Sequence, residues 1–267
     1  MLVEAEERKD LVRKGNDVTI VGRWPRAIFY DSKTTLFDWA WSWREAAKAY
    51  IEKYGLSISV DEFVEQWVRS FEGFQRSAAF GKYTPITHVS VKNGLAQAYR
   101  LLGVDGDAEA DIEVFKQLQE DVPLFWDTEE ALSAQQALGV KIIIYSDVEP
   151  EYLQTYVRKF KSFKPDFVAT TQDAGVHKPN PRTYRWVLHE MNLEPRDVIY
   201  CAAPVFDVQG AMAAGMVAVQ LLRKEGRLSK ITHSPGDLLP DYEIENLHEM
   251  TKIVEFNRYP ERYRREG

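Results

Sequence analysis

From Pro123 onward the chain alternates short apolar runs with amphipathic stretches, and few folds accept that rhythm. The runs are VKIIIY (140–145), FVAT (167–170), VIYC (198–201) and VAVQLL (217–222). Between and around them lie segments of helical character at Thr128–Leu138, Glu149–Lys161, Pro181–Met191 and Val205–Ala214, with a last short run at Tyr242–Ile244 and a closing helix at Leu247–Phe256. Brief, continuously apolar runs suit strands covered on both faces. Strands joined through helices pair in parallel with right-handed crossovers. The expected architecture is therefore α/β, a Rossmann-like doubly wound parallel sheet. One further run of this kind, Ala27–Tyr30, stands far upstream and ends directly in Asp31.

The stretch between Asp38 and Pro123 has a different period. Trp39, Trp43, Ala46, Ala47, Tyr50 and Ile51 share one face of a helix over Trp39–Tyr54, which stops at Gly55. Phe63, Val64, Trp67, Val68 and Phe71 repeat the pattern after Val60. Further helices are expected over Thr87–Leu102, closed by Gly103, and over Glu109–Gln119. A helical body is thus inserted after the first strand. The expected division is an N-terminal extension at 1–25, a core domain at 26–38 and 123–257, the helical insertion at 39–122 and a solvated C-terminal tail at 258–267. Within the extension, a charged helix ending at Gly15 and an edge strand over Val18–Val21 are expected.

Bulk properties narrow the function classes. The net charge of -7 disfavours non-specific binding to nucleic acid or to anionic membranes, yet leaves room for a small anionic substrate in a locally positive pocket. Cys201 is the single cysteine, so no intrachain disulfide forms and a reducing cytoplasm is the expected setting. The opening residues MLVEAEERKDLVRKG lack the apolar stretch of a signal peptide, and no apolar run approaches the ~18–20 residues that span a bilayer. A homodimer through exposed helices of the insertion stays open.

In open α/β sheets, ligands gather at the carboxyl ends of the strands. Four chemistry-bearing positions follow strand ends here: Asp31, Ser146-Asp147, Lys178 in GVHKPNPRTY, and Asp207 in CAAPVFDVQGAMAAGM. A carboxylate at a strand end followed by hydroxyls can present a nucleophile; it can equally cap the next helix. His177 precedes Lys178 and could reach the site, although a loop histidine is more often solvated, and the other histidines show no ligand spacing.

This order resembles the haloacid dehalogenase superfamily of hydrolases. The resemblance rests on Asp31 with Thr35 (D-x-x-x-T-L), Ser146, Lys178 before Pro-x-Pro, and D-x-x-G-A-x-x-A-G-M from Asp207, and it runs from about residue 26 to 256. The inserted helices look like that superfamily's helical cap. The resemblance implies that Asp31 is the nucleophile of a covalent aspartyl intermediate. It implies that Thr35 and Ser146 bind the aspartate oxygens or the substrate, that Lys178 offsets the negative charge, and that Asp207 orients Lys178 or activates water.

Two features separate the chain from the superfamily's phosphatases. Lys33 stands where they carry a second aspartate, and Cys201-Ala202-Ala203 stands where a Gly-Asp pair supplies a magnesium ligand. No metal and no cofactor are therefore expected. The metal-independent 2-haloacid dehalogenases are the nearer branch, through Tyr184 in KPNPRTY, Phe206-Asp207, and Arg69 in the cap as a candidate for substrate or halide. Departures exist there too: Lys33-Thr34 replaces Tyr-Gly, Asp147 replaces an asparagine, and Ala202 and Pro204 replace a serine and an asparagine. Three functions stay open: a metal-independent hydrolase of small 2-substituted (2-halo) carboxylic acids, a silent binding scaffold, and a magnesium phosphatase with an atypical site. Lys33 either pairs with Asp31 or points at the leaving group.

Overall fold

The computed structural model describes residues 24–228, 233, 236 and 238–263. The helix and strand expected within residues 1–21 lie outside the described residues. Six strands form one sheet: β1 (Ala27–Tyr30), β2 (Lys141–Ser146), β3 (Phe167–Thr170), β4 (Val198–Ala202), β5 (Val217–Leu221) and β6 (Tyr242–Ile244). Their order is β3-β2-β1-β4-β5-β6, and every pairing is parallel. β1 sits at the centre, with Tyr30 beside Ile144 on one flank and beside Cys201 on the other. All four of its residues are fully buried, as two-sided coverage of a parallel strand requires. The chain leaves the sheet in opposite directions on either side of β1, so β1, β2 and β4 direct their carboxyl ends into one crevice.

Four α-helices joined by loops build the insertion: α1 (Trp39–Tyr54), α2 (Val60–Ala78), α3 (Lys92–Leu102) and α4 (Ala108–Leu118). Asp38 caps α1, and Ser59 with Glu62 forms a reciprocal capping box on α2. Trp43, Trp67 and Phe115 meet at ring-centroid distances of 4.5–5.4 Å and centre the insertion's core. The helix expected from Thr87 opens instead as a wider π-helical turn, Ile86–Val91. The Glu149 carboxylate accepts from Thr87 N (2.6 Å) and Thr87 Oγ1 (3.0 Å) there, so a core residue satisfies the first turn.

The core is completed by α5 (Thr128–Ala137), α6 (Pro150–Val157), the short α7 (Thr171–Ala174), α8 (Pro181–Glu190), α9 (Val205–Ala213) and α10 (Leu247–Arg258). Residue 258 does not begin a solvated tail. It ends α10 and is buried, because Arg258 donates to Leu138 O (2.9 Å) and Pro25 O (2.6 Å) and so fastens the last helix to the entry of β1. Among the described residues, no helix is long and apolar enough to cross a membrane.

Candidate active site

The carboxyl ends of β1, β2 and β4 bring together the acids and the lysine singled out in the sequence. Lys178 is fully buried, and its ammonium donates to Asp31 Oδ1 (2.7 Å), Asp207 Oδ2 (2.7 Å), Tyr200 Oη (3.0 Å) and Tyr145 O (3.1 Å). Burial alone would lower the lysine's affinity for its proton. The charges of Asp207, Asp31 and Asp147 outweigh it and hold the pKa well above the ordinary value. Asp207 feels the same crowding from the other side. Burial raises its carboxyl to about 7, with Asp31 and Asp147 adding to the rise and Lys178 opposing it.

Asp31 is aimed by two further contacts. Thr35 Oγ1 donates to Asp31 Oδ2 (3.1 Å), and the Asp31 amide donates to Cys201 O (3.1 Å). Thr35 is itself held: its hydroxyl accepts from Ala203 N (3.0 Å) and its carbonyl accepts from Arg223 Nε (2.9 Å). Arg223 forks onto buried Asp127 at 2.8 and 3.2 Å. Between Asp31 and Thr35 the chain turns sharply, with Thr34 at φ 59°, a conformation that β-branched residues seldom adopt. That turn carries Lys33 into the cavity, where its ammonium lies 4.4 Å from the Trp39 ring centroid. The Lys33 ammonium forms no hydrogen bond with Asp31 or with any other described residue. Burial lowers its pKa, and the attraction of Asp147 and Asp31 only partly opposes that.

The cavity holds about 300 Å³. Asp31, Lys33, Lys178 and Asp207 form its floor, Trp39, Phe71 and Phe206 supply apolar wall, and cap helix α2 contributes Glu72, Gln75 and Arg76. Arg76 pairs with Glu72 (3.1 Å) and stacks on Phe206 at 4.4 Å, bridging cap and core. Asp147 also reaches the cavity. Its Oδ1 accepts from Lys178 N (3.1 Å) and its Oδ2 from Gln75 Nε2 (3.1 Å). Burial would raise its pKa, but His177, Lys178 and Lys33 more than offset this and keep it depressed.

Several expected substrate contacts stand behind the site. Ser146 is fully buried and shares a 2.6 Å hydrogen bond with Ser32, joining the ends of β1 and β2. Thr35 is fully buried behind Asp31. Tyr184 is fully buried and donates to Asp207 O (2.8 Å), which fixes the first turn of α9. Arg69 is exposed and does not line the cavity; Arg76, two turns further along α2, does. His177 is no solvated loop residue: it is fully buried, 3.5 Å from Asp147, with the Tyr83 ring packed on it at 4.7 Å. Arg223, Asp127 and Arg76 gave no signal of their role in the sequence, because each lies outside the strand-end motifs, whereas His177 stands beside Lys178 within one.

Magnesium wants hard oxygen ligands in near-octahedral array. Here both Asp31 oxygens are engaged, by Lys178 and Thr35, and the Asp207 oxygen nearest the site is engaged by Lys178 and Tyr200. The Lys33 carbonyl accepts from Thr34 Oγ1 (2.6 Å), and the Lys33 ammonium itself lies in the cavity. No group of three or more His, Cys, Asp or Glu arranged to hold a metal ion occurs among the described residues. These residues do not fit a magnesium ion.

Comparison with known proteins places this geometry in a family. The family model described as haloacid dehalogenase-like hydrolase matches residues 28–221. Among curated relatives, the chain is 30% identical over 88 residues to glyceraldehyde 3-phosphate phosphatase of Methanopyrus kandleri, covering 33% of this chain and 37% of that protein. It is 25% identical over 99 residues to (S)-2-haloacid dehalogenase 4A of Burkholderia cepacia, covering 37% of this chain and 43% of that protein. The chain thus spans about two fifths of the length of these two relatives. The L-2-haloacid dehalogenase of Xanthobacter autotrophicus superposes with TM-score 0.72 at 20% identity, covering 86% of this chain and 98% of that one. A HAD-hydrolase of Bacillus subtilis bound to magnesium superposes with TM-score 0.70 at 16% identity, covering 88% and 100%. With a parallel sheet, a helical cap and a family model matched across most of its length, the chain belongs to the haloacid dehalogenase-like hydrolases.

Proposed function

We propose that the protein is a metal-independent hydrolase that uses Asp31 to displace a leaving group, such as halide, from carbon 2 of a small carboxylic acid. The observation that carries this reading is the setting of Asp31: a carboxylate facing the cavity, held through both oxygens, with buried Lys178 as its counter-charge. An aspartate fixed in this way is aimed, and aiming is the main requirement for displacement at about 3–3.5 Å. The cavity volume and its aromatic wall suit a short acid, and Arg76 offers a planar fork for the carboxylate.

An Asp31 oxygen attacks carbon 2, and the carbon–halogen bond breaks with its electron pair leaving on the halide. An ester of Asp31 results. Water then adds to the Asp31 carbonyl carbon and gives a proton to Asp207, which must be ionised to receive it. The ester carbon–oxygen bond breaks, and the 2-hydroxy acid leaves after taking up a proton. Lys178 stays charged throughout and moderates the negative charge that passes between Asp31 and Asp207.

Single turnover in H₂¹⁸O, with enzyme in excess over 2-haloacids, tests the reading. The first turnover should place ¹⁶O from Asp31 in the product, later turnovers should leave ¹⁸O in the peptide containing Asp31, and Asp31→Asn should abolish both. EDTA should leave the rate unchanged. Turnover of phosphate esters that requires magnesium would replace this reading with the phosphatase one, towards which the relative from Methanopyrus kandleri leans. Absence of product and label across both substrate classes would leave a silent scaffold.

A further inference from the structure

Lys33 is unused by the reaction above, yet it is the most anomalous side chain in the cavity. It is only 6% exposed, and its ammonium has no hydrogen-bond acceptor among the described residues. Every buried polar group without a partner calls for a physical account. The other cations at this cavity have acidic partners: Lys178 bonds Asp31 and Asp207, Arg223 bonds Asp127, and Arg76 bonds Glu72. Arg227, at the far end, also lines it. Lys33 instead lies against the Trp39 ring, in the fields of Asp31 and Asp147.

We propose that the Lys33 ammonium is a resident cation of this site, taking the electrostatic part of a divalent metal, closing the site to metal ions and limiting the reacting end of the substrate to a monoanion. Its place in the fold supports the metal half. Lys33 sits two residues beyond Asp31 on a turn whose strained Thr34 holds it toward the cavity, and Thr34 also occupies the Lys33 carbonyl. A divalent ion brought beside Asp31 would meet the ammonium at short range in a buried site, where like charges repel strongly. Charge balance supports the substrate half. Five acidic side chains line the cavity among the described residues together with five lysines and arginines and His233, and the Lys33 ammonium stands there without an acceptor. One positive charge balances a carboxylate; a phosphate dianion would carry a second negative charge toward Asp31 and Asp147. The substrate half rests on the proposed function, and the metal half stands apart from it.

Both halves can be read without turnover, on the full chain. Mn²⁺ binding is measured by electron paramagnetic resonance, with circular dichroism to verify folding, for wild type, Lys33→Asp and Lys33→Asp combined with Asp31→Asn. Lys33→Asp exchanges the cation for a hard oxygen ligand, so it should bind Mn²⁺ at least about tenfold more tightly than wild type, and the added Asp31→Asn should remove the gain. Wild type binding Mn²⁺ as tightly as Lys33→Asp, or a folded Lys33→Asp that binds none, overturns the proposal. For the anion, acetate and inorganic phosphate are compared by thermal shift on wild type and Lys33→Met, since a ligand bound only by the native state raises its melting temperature. Acetate should stabilise wild type more than phosphate does, and Lys33→Met should lose the acetate effect. Phosphate stabilising wild type as well as acetate does, or acetate acting equally on Lys33→Met, overturns it. Should Lys33→Asp not fold, Lys33→Met binding Mn²⁺ no more tightly than wild type overturns the metal half, and this arm tests the substrate half. A protein that passes these tests but hydrolyses no 2-haloacid would refute the proposed function and leave the resident cation standing.

Discussion

Replacing Lys178 by methionine removes the counter-charge of the site while keeping most of its volume. The lost ammonium leaves Asp31 and Asp207 without their 2.7 Å partner, in a setting where Lys178 is fully buried and both acids nearly so. Removing one partner of a buried ion pair typically costs about 3–5 kcal/mol, because the remaining charge is left in a medium that solvates it poorly. The acids can escape part of that cost by protonation, which makes the loss depend on pH. Burial already raises the Asp207 carboxyl to about 7 with the lysine opposing the rise, and without the lysine it should rise further. A carboxylate whose folded pKa lies above its unfolded value of about 3.9 loses stability as pH climbs from the unfolded to the folded pKa. The deficit of Lys178→Met should therefore reach its full size at alkaline pH and shrink steadily in acid. Urea unfolding of both proteins, at about pH 5 and about pH 8.5 with slopes compared, measures it. A deficit equal at the two pH values, or under about 1 kcal/mol at the higher one, would refute the view that Lys178 carries the charge balance of the site.

Two further outcomes follow from the same geometry. Arg76→Ala should weaken binding of a small carboxylate by more than about tenfold while Arg69→Ala leaves it unchanged, as read by titration calorimetry; equal effects would return Arg69 to the site. The hydrolysis of the Asp31 ester should slow as pH falls and Asp207 gains its proton, at a pH below about 7 because an esterified Asp31 no longer adds to the rise, so single-turnover decay of the labelled intermediate should show one acid limb that a pH-independent decay would contradict.

The strand ends could be located from the sequence because each follows a continuously apolar run, and a run of that kind has one place in a doubly wound sheet. Asp31, Ser146, Lys178 and Asp207 were all reached in this way. What strand-end position does not convey is side-chain direction. Ser146 and Asp147 are neighbours, yet the first turns inward to Ser32 and the second faces the cavity. Helical periodicity likewise identified the apolar face of α2 through Phe63, Trp67 and Phe71, but not which end of the helix hangs over the sheet; the cavity takes Glu72, Gln75 and Arg76 and leaves Arg69 outside. The Arg223–Asp127 pair lay beyond reach for another reason. Its partners are 96 residues apart and in no motif, and only the fold makes them neighbours.

The place of the insertion has a consequence for how the chain reaches this shape. β1 and β2 are adjacent in the sheet but separated by about 110 residues, and closing a flexible loop of that length costs roughly 4 kcal/mol of chain entropy before any strand pairing repays it. Within the insertion α1 packs on α4 as well as on α2, and the broadest contact joins the sequence neighbours α2 and α3. Local contacts of that kind form quickly. A cap that condenses first draws Asp38 and Pro123 together, and the folded ends keep that closure through the hydrogen bond from Asp38 N to Pro123 O at 2.8 Å. On that order of events the central strand meets its partner across a far shorter loop, and the cap serves as the clasp for the sheet.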